Sequence, residues 1–230
     1  MRVLLIGGSG LVGRALVARL AERADLQLDL LFRRSLPQDA ANTRVFAGEP
    51  LIDALQQWQA VKQGCDVFVS ALGTTRRIAG SIDAFAKIDR DLVLQVARAA
   101  RAAGARQAVL VSSVGADPRS RNDYLRIKGE LEQAVAGLGF QRCDFLQPGL
   151  LLGERGAAAS RPAERLGQWL SPLLNPLMPG ALACYRAIDA GRVAMAAQGL
   201  VGRLDPGVHT HRWTELMGLS SVHPAADSSG

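Results

Sequence analysis

Tyr124 and Lys128 stand four residues apart in Tyr124-Leu125-Arg126-Ile127-Lys128-Gly129-Glu130-Leu131-Glu132, a run whose spacing predicts a helix with both side chains on one face. A phenol with an ordinary pKa of about 10 exchanges protons poorly at neutral pH, but an adjacent ammonium favours the phenolate and eases transfer. The same ammonium can reach a ribose. Lys128 is one of only three lysines among 27 basic residues, in a chain that otherwise meets its need for positive charge with arginine. An exposed i,i+4 pair is the competing interpretation. Ser112 and Ser113 precede Tyr124 by twelve and eleven residues, at the end of an expected strand. A hydroxyl there can hydrogen-bond a substrate carbonyl; Ser113 is the first choice and Ser112 the second, with loop capping as the alternative.

A second cluster is built from glycine. Gly7-Gly8-Ser9-Gly10-Leu11-Val12-Gly13 follows the first apolar run and opens the first amphipathic one, placing Gly7, Gly10 and Gly13 three apart. Glycines permit a sharp turn and close backbone approach to a pyrophosphate, while the helix N-terminus offers partial positive charge. No Lys-Ser or Lys-Thr ends the loop, so a nucleotide-hydrolysing P-loop is not expected. An NAD site places an acid about 20 residues further on, beside the ribose 2′-hydroxyl. Here that place reads Arg33-Arg34, two guanidinium groups suited to a 2′-phosphate, which points to NADP(H) over NAD(H). Asp29 falls earlier, inside the expected strand and badly placed for the ribose. Ala71-Leu72-Gly73-Thr74-Thr75 ends another strand, where Gly73 would allow backbone approach and Thr74 would offer a hydroxyl. Arg76 and Arg77 are expected to be solvated, and Asp89 to be a helix-surface carboxylate rather than a water-mediated partner of the lysine.

Alternating short apolar and longer amphipathic runs predict strands over 2–6, 27–32, 44–46, 66–71, 107–112 and 142–147, with helices between them. The fold class is therefore α/β, a doubly wound, Rossmann-like parallel sheet. Residues 1–230 are expected to form one domain: a nucleotide-binding core over 1–149, a substrate or cap region over 150–219, and a flexible tail over 220–230. Pro162, Pro172, Pro176 and Pro179 interrupt the cap, which is not expected to extend the sheet, although the alternation from Val208 to Trp213 marks a short edge strand. The chain has 48% hydrophobic and 21% charged residues, no run long enough to span a bilayer, and scattered Cys65, Cys143 and Cys184. A cytoplasmic protein with reduced thiols, no membrane partner and no bound metal is expected. The net charge of +6 is spread among acids with no basic stripe, so no nucleic-acid partner is expected.

Taken together, these motifs resemble the short-chain dehydrogenase/reductases, specifically the atypical branch of NAD(P)H-binding, Tat-interacting-protein-like oxidoreductases, over about Met1 to Gly153. Val111-Ser112-Ser113-Val114-Gly115-Ala116-Asp117, Ile88-Asp89-Arg90-Asp91 and Gln147-Pro148-Gly149 strengthen the likeness. The resemblance implies that Ser9, Leu11 and Val12 line the pyrophosphate loop and that Arg33 and Arg34 approach the 2′-phosphate. It further implies that Ala71 and Leu72 to Thr74 pass over the cofactor, that Pro148 borders the nicotinamide, and that Tyr124 and Lys128 form the acid–base pair. Asp89 stands where many relatives of the extended type carry Asn, a departure that weakens the carry-over of their proton-relay role. The expected function is NADP(H)-dependent oxidation or reduction of a small alcohol or carbonyl. The alternatives are an NADP(H) sensor with a protein partner and a nucleotide-sugar epimerase.

Overall fold

In the computed structural model, which describes residues 1–34, 40–74, 79–153 and 180–221, the six expected strands form, shifted by a residue at some ends. They are β1 (Arg2–Ile6), β2 (Gln27–Phe32), β3 (Thr43–Ala47), β4 (Val67–Ser70), β5 (Gln107–Val111) and β6 (Arg142–Leu146). Strand β1 lies between β2 and β4, so chain order reverses there and leaves a crevice at the carboxyl ends of the strands. Its residues are buried on both faces: Val3 and Leu5 join one core, Leu4 and Ile6 the other. This two-sided burial explains a continuous apolar run in place of strict alternation.

Helix α1 (Leu11–Ala21) covers the first face; α2 (Leu51–Ala60), α4 (Val93–Ala102) and α5 (Asp123–Ala136) cover the second. Between β4 and α4 run the short α3 (Ile82–Ala86) and a π-helical segment, Lys87–Leu92. Helix α5 begins where the Asn122 side chain accepts hydrogen bonds from the N–H groups of Tyr124 and Leu125, fixing the start of the helix that carries the candidate chemistry.

The C-terminal region departs from expectation. After β7 (Leu151–Leu152) and β8 (Ile188–Asp189), which pair with each other, α6 (Ala190–Leu200) packs against α1. Strand β9 (Gly207–His211) then joins β6 in parallel, giving the order β3-β2-β1-β4-β5-β6-β9, and α7 (Trp213–Leu219) follows. The part of the expected cap that is described here therefore extends the sheet and its helical layer. The physical reason is a polar lock that only this seventh strand completes. Arg142 donates to both oxygens of Asp144 at 2.7 Å, Gln107 donates to the same carboxylate at 2.9 Å, and His211 of β9 meets it at 2.9 Å. Four prolines and Leu166–Leu174 of that region, like the tail beyond Ser221, lie outside the described residues.

Burial pushes the Asp144 carboxyl up, but donation from His211, Arg142 and Gln107 outweighs it and holds the group below the usual carboxylate range. Its contribution to stability is thus present above about pH 4 and is lost as pH falls through the depressed folded value. Asp144→Ala is expected to lower unfolding free energy by about 2–4 kcal/mol in urea titrations at pH 7, because Gln107 and His211 lose their acceptor and Arg142 keeps only the exposed Asp205 as a carboxylate partner. The difference from wild type should shrink towards pH 3.

Candidate cofactor and proton-transfer site

The crevice beside β1 is a cleft of about 650 Å³. Gly7, Ser9 and Gly10 line it from the β1 loop, Arg33 from the end of β2, and Ala71, Leu72, Gly73 and Thr74 from the end of β4. Gly7 has φ +82°, and a Cβ there would lie 2.2 Å from the Leu72 amide nitrogen. A Cβ on Gly13 would lie 2.0 Å from the Gly7 carbonyl oxygen. Any side chain at either place would wedge strand, loop and helix apart. Helix α1 starts on the cleft with Gly10 as N-cap and no capping side chain, so its first-turn N–H groups lack a helix or side-chain acceptor. Such a helix end can hold an anion through backbone alone. Leu11 and Val12 can offer it only their N–H groups, since the Leu11 side chain lies against Gly153 and Val12 is buried in the core.

At the far end, Arg33 lines the cleft while the exposed Arg34 pairs with Glu49, Nε to Oε2 at 3.1 Å. Glu49 also lines the cleft and carried no signal in the sequence, because the loop after β3 becomes its neighbour only on folding. Asp29 is fully buried, held by Arg44 at 2.6 Å and by the Trp58 indole at 2.9 Å, so it serves the β2–β3–α2 contact and not the cleft.

Tyr124 and Lys128 share one face of α5, and the Tyr124 ring packs against buried Phe85 with centroids 5.4 Å apart. The Lys128 ammonium lies under the β4 loop, 3.9 Å from where a Gly73 Cβ would stand. Gly129 lets the loop after β5 cross α5 at this level, since a Cβ there would meet the Pro118 nitrogen at 2.3 Å. Asp89 corrects the surface expectation. It is fully buried and paired with Lys128 Nζ at 2.7 Å, while its second oxygen accepts the Thr74 N–H at 2.9 Å. The expectation rested on the usual exposure of helix carboxylates; here Lys128 and the Thr74 N–H supply the partners that let Asp89 be buried within the π-helical turn.

The two serines separate. Ser112 lies beside Glu132, one turn beyond Lys128, whereas the Ser113 hydroxyl makes only a 3.4 Å contact to the Val114 carbonyl. Burial pushes the Glu132 carboxyl up against the opposing influence of Ser112, Gln147, Lys128 and Arg212. Gln147 donates to both Glu132 oxygens, at 3.1 and 3.0 Å, and precedes buried Pro148 at the end of β6. Glu132 and Gln147 were missed as site residues, although Tyr124, Lys128 and Glu132 follow one another at four-residue spacing. Thr75, Arg76 and Arg77 lie outside the described residues.

A doubly wound sheet with a glycine-lined cleft at its switch point defines a nucleotide-binding class of protein. The family model for NAD(P)H-binding domains matches residues 7–140. The chain belongs to this NAD(P)H-binding family and is an atypical short-chain dehydrogenase/reductase. It is 39% identical to the protein fmp52, mitochondrial, of Emericella nidulans over 75% of this chain and 76% of that protein. It is 34% identical to the protein HTATIP2 of Rattus norvegicus over 99% of this chain and 90% of that protein. Among solved structures it resembles the UDP-glucose 4-epimerase of Thermus thermophilus in complex with NAD, with TM-score 0.65 and 18% identity, over 96% of this chain and 81% of that one. The expected cytoplasmic location is overturned by the fmp52 relatives, which are named as mitochondrial proteins. Among the described residues no helix is long and apolar enough to cross a membrane, but that observation does not identify a compartment.

The residues present fit a pyridine dinucleotide, because the uncapped α1 N-terminus leaves N–H donors facing the cleft and the glycines let the loop carry them there without a side chain in the way. Gly13→Ala is expected to weaken NADPH binding at least tenfold by calorimetry and to lower stability by about 1–3 kcal/mol, since the methyl group strikes the Gly7 carbonyl.

Proposed function

We propose that this protein is an NADP(H)-dependent oxidoreductase that interconverts a small carbonyl compound and its alcohol. The observation that carries the reading is the placement of Tyr124 and Lys128 on one face of α5, with the ammonium directly beneath the Gly73 loop that lines the cleft. When bound, the cofactor supplies or accepts a hydride. The chain's own residues do the rest. First-turn N–H groups of α1 hold the pyrophosphate, Arg33 meets the 2′-phosphate, and Ala71 to Thr74 cover the nucleotide. Arg34 joins Arg33 by exchanging its exposed pairing with Glu49 for the phosphate, an exchange that costs little because solvent already screens the pair. Pro148 bounds the nicotinamide side.

In the reducing direction Ser113 donates a hydrogen bond to the substrate carbonyl oxygen. Tyr124 gives its proton to that oxygen as hydride reaches the carbon, so the products are the alcohol and the oxidised cofactor. Lys128 holds the ribose and assists the phenol. Ser112, set beside Glu132, is the second choice for the hydrogen bond to the carbonyl. The partner is thus a small molecule. The likeness to epimerases rests on fold alone and assigns no sugar.

Two variants test this reading. Tyr124→Phe should keep NADPH affinity within about twofold while lowering turnover of a carbonyl panel by about 10²–10⁴-fold, the range for loss of a general acid. Undiminished turnover would overturn the assignment. Arg33→Ala should weaken NADPH binding by about tenfold or more and leave NADH binding nearly unchanged, as expected for loss of a charge-assisted phosphate contact.

A further inference from the structure

Two loops at the carboxyl edge of the sheet meet a third segment from the C-terminal region. The loops after β5 and β6 are joined where the Val114 N–H donates to the Pro148 carbonyl at 3.0 Å. Against the second of them lies the end of the 3₁₀ turn Gly180–Tyr185. A Cβ on Gly149 would stand 2.5 Å from the Arg186 carbonyl oxygen and 2.8 Å from that of Tyr185, so glycine alone lets the segment come so close. The Tyr185 side chain then reaches across to the first loop: its hydroxyl oxygen would be 4.0 Å from a Cβ on Gly115, two places beyond Ser113. Leu125, the neighbour of Tyr124, comes within 3.4 Å of the same point.

The position is fixed from both sides. The Arg186 N–H donates to the Ala183 carbonyl at 3.1 Å, the Ile188 N–H to the Leu150 carbonyl at 2.9 Å, and the Arg186 guanidinium lies over the Trp213 ring at 4.8 Å. Yet Tyr185 is 53% exposed, and Leu150, on the loop it adjoins, is 41% exposed. Charged neighbours along the chain are engaged elsewhere, Arg186 on Trp213 and Asp117 by the Arg119 N–H at 2.8 Å. The face left beside the Ser113 loop is thus aromatic and aliphatic, the surface an apolar ligand group covers.

The geometry points to Tyr185 as a specificity-determining residue, whose ring forms the wall on which the substrate's non-reacting group lies, and to an aryl carbonyl compound as the substrate class. The inference deepens the proposed function and rests on its placement of the substrate carbonyl at Ser113. A flat aryl group laid on the Tyr185 ring gains from ring–ring geometry as well as from buried area, whereas a saturated group of equal size gains from area alone.

The first test reads binding without turnover. The chain has two tyrosines, Tyr124 and Tyr185, so Tyr124→Phe protein made with 3-fluorotyrosine carries one fluorine signal, that of Tyr185. With NADPH at saturation, acetophenone should shift this signal with a midpoint about threefold or more below that of cyclohexyl methyl ketone, which is as large and more apolar but has no π face. Equal midpoints, a preference for the cyclohexyl ketone, or no shift at all would overturn the proposal. The second test uses Tyr124-containing enzyme. Tyr185→Ala should lower the ratio of kcat/KM for acetophenone to that for butanone by about fivefold or more, through KM, while Tyr185→Phe keeps the ratio within about twofold. A fall in kcat shared by both ketones would mark a structural role and overturn the proposal as well. Failure of the broader reading looks different: if wild type reduces neither ketone, or Tyr124→Phe reduces both normally, the catalytic assignment falls and the fluorine titration still decides the wall.

Discussion

The site depends on a contact between two stretches of backbone. The β1 loop and the β4 loop meet at the carboxyl end of the sheet so closely that a methyl group on Gly7 would overlap the Leu72 amide. Gly13 brings the start of α1 onto the same loop. This closeness leaves helix N–H groups at one wall of the cleft, which Gly73 also lines, close to the Lys128 ammonium. Under the proposed function, phosphate binding and proton transfer share that one backbone arrangement.

Below the β4 loop the chain tolerates a buried ion pair, which low-dielectric surroundings make expensive unless its atoms are well partnered. The cost is offset because Asp89 lies 2.7 Å from the Lys128 ammonium and also accepts the Thr74 N–H. A similar logic holds the other side of the sheet, where Asp144 gathers Arg142, Gln107 and His211 and secures the last strand. Both carboxylates join elements distant in sequence, Asp89 through one ion pair and one backbone N–H and Asp144 through three side chains.

Most of the sheet was legible because β1 to β6 are short apolar runs with helices between them, and the glycine loop falls directly after the first. Tyr124 and Lys128 were legible because helical spacing puts them together. Three features were not. Asp89 was misplaced because helix carboxylates are usually solvated, and the partners that bury this one, Lys128 and the Thr74 N–H, come from elements distant in sequence. β9 could be read as an edge strand, but its parallel union with β6 depends on the Asp144 cluster, which no local pattern encodes. Arg34 was read as free to meet a phosphate, whereas a loop 15 residues away supplies Glu49 to it. Location failed for a different reason: composition and apolar runs describe how a chain folds, not where a cell sends it.

The most direct measurement is a crystal structure of the protein with NADPH. The account predicts pyrophosphate oxygens on the Leu11 and Val12 N–H groups, the 2′-phosphate against Arg33, and the nicotinamide between Pro148 and the Tyr124 hydroxyl. A nicotinamide lying away from Tyr124, or a cleft that remains empty at saturating NADPH, would contradict it.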